Sequence, residues 1–544
     1  MPIFDSPGMR PDGLPWSPHE GRRPRERRRA LDALPSRPNP TRAFVSTFVP
    51  GTHAQLDVVR DAVAGAHLDR REQRKAERFL VHLLVSSERD GDGSVPVPAK
   101  LIEREFRNLS WPFLEEAGVI QVAPYDRHRG RCREFAAAPE VRGRFFEAGP
   151  TASVVAEDCL YDLVSTRPTS RRVKSDRRTP SGNPLPPLLR SAIDAFGEVP
   201  VDVHAIERHL GRLHALMDAA EEGPAKVAAE GRYYNDLRCY HAVLAQGARP
   251  LDPDNPDGLW VYRPAYRPQR FGRLSQKGGG LQSCSTAMKA VAYHAWFADP
   301  AAHPDPHASP ALQPVRNKDL RASQPRLLVV LLREAGLDPS WLVAYGERPA
   351  AKHEAAAFVG IPVDAWKTAL NAMLMGGRVP SVEQATRSES EIVVAVREAV
   401  SPDAFGATYR RFLDYTAPLR AVLARWHRWL VTVYVPGNAR LNNADGKRYL
   451  TNEAGAKVAV EDLMEEGKPW KLKARLAAFL LQGREAALMH ALAASAAEYG
   501  FRVLSHEHDG LVVAGEVPEA AVEAAARIAR VPMDLVDLVD KPFV

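Results

Sequence analysis

Apolar positions recur at helical spacing from Glu72 through Leu84, and a second pattern of the same kind runs from Pro98 to Phe106. A short third helix over Leu109 to Ala117 is closed by Gly118, a residue suited to the left-handed turn that ends helices. An apolar stretch Val119 to Val122 then reads as a strand, followed by a basic turn and a second strand through Cys132 to Phe135. Further along, Val203 to Ala219 and Tyr233 to Gln246 are amphipathic by spacing. The segment from Phe501 to Val513 divides into two apolar strands that meet at His508, Asp509 and Gly510. Helices and short strands continue to alternate to the C-terminus, without internal repeats, which places the chain in the α+β class.

Breaker residues divide this pattern. Residues 1–45 are rich in Pro and Arg and read as a disordered basic arm; the Arg22 to Arg29 run in it is either a phosphate-binding segment or a solvated tail. A basic, Pro-rich stretch at 165–189 reads as a linker. The remaining divisions are 46–164, 190–254, 255–334, 335–475 and 476–544. A length of 544 residues requires more than one core.

Composition adds limits. Lys and Arg total 73 against 67 Asp and Glu, a formal charge of +6 that permits a polyanionic partner without requiring one. The four cysteines, Cys132, Cys159, Cys239 and Cys284, lack zinc or redox spacing and suit a reducing, cytoplasmic setting. No run approaches the roughly 18 apolar residues of a membrane span, and the N-terminus lacks a secretory pattern.

Four motifs carry the chemistry. Gly272-Arg-Leu-Ser275 is followed by Leu281-Gln282. Asp319-Leu-Arg-Ala-Ser-Gln-Pro-Arg-Leu327 runs into the apolar Leu328 to Leu332. Asp364 to Gly377 is a helix-length segment closed by glycine, and the His508-Asp509 turn joins two strands. Taken singly, these are a chance turn, a surface aspartate before a core helix, a lysine on a packed Met-rich helix, and a common His-Asp pair. His506, Glu507, His508 and Asp509 also read as a lone metal cluster.

In this order the motifs resemble those of family A DNA polymerases, from Phe271 to Val513. The resemblance implies a right-hand fold: a palm with an antiparallel sheet (255–334 and 476–544), helical fingers (335–475) and a short helical thumb (190–254). It implies that Asp319 and Asp509 are the catalytic carboxylates, holding Mg²⁺ or Mn²⁺. Two such ions about 4 Å apart serve phosphoryl transfer by activating a 3′-hydroxyl and neutralising the triphosphate. Lys367, Arg273, Gln324, Asn371 and Met375 would line the incoming nucleoside triphosphate. Gln282, Gln482, His508 and Arg326 would lie along primer and template.

Departures from the family pattern bear on the sugar. Gln324 stands where the family has a glutamate that closes against the 2′ position, Met375 replaces an aromatic, and Gly510 replaces a glutamate after the second aspartate. Single-subunit RNA polymerases also use a small residue there. Val363 occupies the place of an arginine one turn before the lysine, and Phe271 that of a threonine.

Residues 46–164 resemble a winged helix domain, with Arg127, Arg129 and Arg131 in the turn that would touch DNA; such domains also serve as structural or protein-interaction modules. The expected activity is thus a DNA-directed DNA polymerase acting in replication of a plasmid, phage or mobile element. Little room is left for a proofreading exonuclease. A primase or single-subunit RNA polymerase, and an inactive DNA-binding initiator, remain alternatives. Template and primer DNA, nucleoside triphosphates and replication proteins are the partners this implies.

Overall fold

The computed structural model describes residues 50–86, 94–97, 102, 106, 109–122, 133–149, 160–163, 167–169, 174–221, 223–293, 315–388, 390–464, 470–507 and 509–543. The basic arm, Arg127, Arg129, Arg131 and His508 lie outside these residues, as do parts of the 165–189 stretch.

At the centre is a four-stranded antiparallel sheet. Its strands are β1 (Val315–Leu320), β2 (Arg502–His506), β3 (Gly510–Ala514) and β4 (Leu538–Asp540), in the spatial order β2-β3-β1-β4. Side chains alternate between faces along a strand, and both faces here are covered. Leu320, Val503, Leu511 and Val513 enter a core built with the helices α1 (Ser323–Glu334), α2 (Val363–Leu374) and α3 (Trp470–Ala494). Val315, Leu504, Val512 and Ala514 enter a second core shared with the N-terminal part of the chain. A register shift between Val503 and Ser505 accompanies this division, with Leu504 as the extra residue of the bulge.

The N-terminal part contains helices His53–Ala64, Arg70–Ser86, Trp111–Glu116 and Pro139–Glu147, with a three-stranded antiparallel sheet. Strand Arg133–Ala137 is central, flanked by Ile120–Val122 and by Ser94–Val97, a strand that the sequence pattern did not reveal. Phe79 packs edge-on against both Phe106 and Phe135. Gly118 takes a left-handed φ of 71°, as the end of the preceding helix requires.

Two long helices, Val203–Ala219 and Pro224–Ala245, follow and pack together. The second begins earlier than its amphipathic pattern because Pro224, at its first turn, starts a run of good helix formers. Another five helices between 340 and 429 surround α2, and the last, Pro402–Trp429, passes into a π-helical turn at Leu430–Tyr434.

α3 departs most from expectation. By the resemblance, Leu481 to Glu485 opens a helix running from Ala486 to Tyr499, but the helix spans Trp470–Ala494 and carries Gln482 and Gly483 in its interior. Gly483 is needed there for packing: a Cβ would lie 2.2 Å from Asn452 Nδ2. That amide donates to the Phe271 and Phe479 carbonyls, both at 3.0 Å, and so ties α3 to the turn before Arg273. No helix among the described residues is long and apolar enough to cross a membrane.

Because the central sheet is buried on both sides, truncation on either face should be felt. Leu504→Ala and Leu511→Ala are each expected to destabilise the protein by about 2–5 kcal/mol, read as a lower midpoint in urea.

Candidate active site

The register of the sheet brings the two aspartates together. Asp319 pairs with Gly510 across β1 and β3, and the Leu320 N–H donates to the Asp509 carbonyl at 2.9 Å. Gly510 permits this approach: a Cβ there would stand 2.2 Å from the Lys318 carbonyl oxygen and 3.2 Å from Asp319 Cα. The backbone at 510 therefore has no space for the glutamate that the resemblance would put there. Beyond Gly510 the turn is tight, with the Glu507 N–H donating to the Gly510 carbonyl at 2.9 Å.

Burial, and then the neighbouring charge of Asp509, push the Asp319 carboxyl up to about 6. Lys541 Nζ, 3.7 Å from Asp319 Oδ2, pulls the other way. The site holds more negative charge than the protein neutralises closely.

Two further carboxylates add to this: Glu507, which the sequence offered only as part of a lone metal cluster, and Glu485, which sequence reasoning gave no role. Glu507 lies in the hairpin turn and accepts from Lys289 Nζ at 2.6 Å and from Ser505 Oγ at 3.1 Å; burial pushes its carboxyl up. Glu485, on α3, is 1% exposed. Its Oε1 pairs with the Arg273 guanidinium, while its Oε2 accepts from Ser323 Oγ at 2.6 Å and from Gln324 Nε2. Burial raises the Glu485 carboxyl and Arg273 opposes the rise; the charge of Asp509 acts on it as well. A signal existed in the sequence, because Arg484-Glu485 interrupts an otherwise apolar helix, and charged residues enter a core only when paired.

Ser323 and Gln324 reach Glu485 because the chain turns sharply after β1. Ala322 adopts φ 51° and ψ 43°, a left-handed conformation costly for a residue with a Cβ. α1 starts at once, with its apolar run Leu327 to Leu332 buried. Arg273 comes from the hairpin of Tyr266–Pro268 with Leu274–Gln276, entered through Gly272 at φ 98°. His490 of α3 bonds the Gly272 carbonyl at 2.8 Å and His506 of β2 at 3.1 Å, so one buried pair fixes hairpin, helix and sheet together.

Other residues singled out from sequence are placed differently. The Gln282 amide is buried and engaged within the protein. Its Nε2 donates to the Leu274 and His506 carbonyls at 3.1 and 2.5 Å, and its Oε1 accepts from the Gln276 N–H at 2.6 Å. Arg326 is buried too, donating to the Gly346 carbonyl at 2.9 Å and to Asp537 at 3.1 Å. Lys367 and Asn371 lie one turn apart on the exposed face of α2; Lys367 pairs only loosely with Asp364 at 3.3 Å, and Met375 is half-buried where the helix ends. Gln482 is partly exposed on α3.

The donor set suits a hard divalent cation. Among the described residues no group of three or more His, Cys, Asp and Glu side chains is set to enclose a metal. One carboxylate on a strand and a second in the adjoining turn offer instead the few protein ligands that Mg²⁺ uses when water and substrate phosphates complete its shell. Burial first, and then the charge of Asp509, raise the Asp319 carboxyl, and a bound cation would offset both.

The folded value for Asp319, about 6, lies above the ordinary 3.8. Its stabilising contribution is therefore complete below about pH 4 and lost as pH rises through 6. Asp319→Asn, neutral throughout, is expected to exceed the wild type in stability at pH 7.5 by of order 1–2 kcal/mol. The advantage should vanish by pH 4 in urea titrations. Calorimetric Mn²⁺ binding to the wild type should weaken between pH 7 and 5, as protons compete for the same oxygens.

No family model matches the chain, and no curated protein does. Among solved structures, it is similar to the POL domain of Pol1 from M. smegmatis, in complex with DNA primer-template and dNTP. Identity is 12% and the TM-score 0.40, over 85% of this chain and 80% of that one.

Proposed function

We propose that the chain is a template-directed nucleotidyltransferase that extends a primer on a DNA template in replication, with Asp319 and Asp509 as its metal-binding carboxylates. The observation that carries this reading is the strand register, which sets Asp319 opposite Gly510 and bonds the Leu320 N–H to the Asp509 carbonyl. Order and spacing of the four sequence motifs around that pair add to it.

Divalent cations at these oxygens would lower the pKa of the attacking 3′-hydroxyl and offset charge on the triphosphate. The protein's own groups do the rest. Lys367, exposed on α2 with only a loose partner, is available to the triphosphate. Arg273, held by Glu485, presents a fixed positive group beside the nucleotide. Gln282 and Arg326 act by positioning: one clamps the Arg273 hairpin to β2, and the other fixes α1 to the turn at Asp537. The N-terminal sheet and helices, with Arg127, Arg129 and Arg131, would hold DNA in the manner of a winged helix.

Primer extension with labelled dNTPs or NTPs on a primed DNA template tests the proposal. Wild-type protein should extend in Mg²⁺ or Mn²⁺, and Asp319→Ala or Asp509→Ala should reduce the rate by about 10³-fold or more. Lys367→Ala should raise KM by roughly tenfold. Lack of incorporation with either nucleotide set, or undiminished activity in both aspartate variants, would sink the reading.

A further inference from the structure

The cations of β1 and of the turn after it are neutralised by carboxylates outside the candidate metal site. Arg316 pairs with Glu516 and Asp540, Lys318 with Asp540, and Arg321 with Asp537. Lys541 differs. Among the described residues it is the one Lys or Arg paired with either Asp319 or Asp509, its Nζ standing 3.7 Å from Asp319 Oδ2.

The main chain delivers this side chain from both directions. β4 pairs with β1 so that Val539 stands opposite Asp319, and the Lys541 N–H donates to the Asn317 carbonyl at 2.8 Å. Pro542 restricts the residue before it to extended backbone. Phe543 then packs against the second core, its ring 6.0 Å from that of Tyr293. The ammonium itself is less constrained. The side chain is 59% exposed, and its distance from Asp319 exceeds that of a well-made hydrogen bond.

An exposed ion pair of this length adds little to stability and is easily broken. Its charge still acts on the site, because Lys541 opposes the rise that burial and Asp509 impose on the Asp319 carboxyl. A hard divalent cation needs the same oxygens. Two cations crowded onto one carboxylate repel each other, and the divalent ion carries the larger charge.

We infer that Lys541 is an internal competitor of the divalent cation: its ammonium neutralises Asp319 until the ion binds, and swings into solvent when it does. The inference rests on the reading of Asp319 and Asp509 as metal-binding carboxylates. It adds that metal loading is an exchange of one cation for another, so that the lysine sets the divalent concentration at which the site fills.

Calorimetric titration of the full chain with Mn²⁺ at pH 8 tests the exchange. Lys541→Met keeps the apolar stem and removes the charge, and should tighten Mn²⁺ binding by about five- to tenfold. Lys541→Arg keeps the charge and should stay within about twofold of the wild type. Lys318→Met removes an equal charge one residue from Asp319 but on the other face of β1, and should also stay within about twofold. A second measurement follows the lysine itself. Acylation by an N-hydroxysuccinimide ester, read by peptide mass relative to the exposed Lys352, should rise about threefold at Lys541 when Mn²⁺ saturates the protein. In Asp319→Asn it should be the same with and without the ion.

Thermal melting establishes that each variant is folded. Mn²⁺ binding no tighter in Lys541→Met than in the wild type overturns the inference and leaves the metal reading standing. So does equal tightening in Lys318→Met, or acylation of Lys541 that Mn²⁺ leaves unchanged or slows. Absence of Mn²⁺ binding in both the wild type and Lys541→Met sinks the metal reading, and the inference with it.

Discussion

Two aspartates brought to one end of a buried sheet by strand register set the terms for the rest of the molecule. Strand pairing of β1 with β3 puts Asp319 opposite Gly510, and backbone contact at 510 leaves room only for hydrogen. Like charges so close oppose folding, and the sheet withstands them because both of its faces are packed. The excess negative charge is offset from outside the hairpin. Lys541 approaches Asp319 from the C-terminal segment, Lys289 reaches Glu507 from a preceding helix, and Arg273 meets Glu485 from a separate hairpin.

That origin explains what was legible in the sequence. The β2-β3 hairpin and the helix after Asp319 rest on local apolar patterning, so both aspartates could be placed from short segments. Glu485 and Glu507 have partners 212 and 218 residues away in the chain, and no local pattern reports those pairings. The same applies to Gln282 and Arg326. Sequence motif alone suggests groups facing nucleic acid, whereas their polar atoms bond to Leu274, His506, Gly346 and Asp537, all brought near by the fold. α3 was misjudged because Gln482 and Gly483 look like a helix boundary. Asn452, thirty-one residues earlier, fills the gap that the glycine leaves, and nothing in the sequence of α3 itself announces it.

The departure at 324 follows from the same electrostatics. Glutamate at that position would aim a second carboxylate at Glu485 in a buried place, with Asp509 already acting on it, and would offer no donor to its Oε2. Glutamine supplies the donor and adds no charge. The negative charge at this place comes from Glu485 on α3, where Arg273 pairs with it. Gln324 and Glu485 thus form one unit, and either residue makes physical sense only in the presence of the other. The pairing of amide with carboxylate therefore satisfies both oxygens of Glu485 and adds no charge to the site.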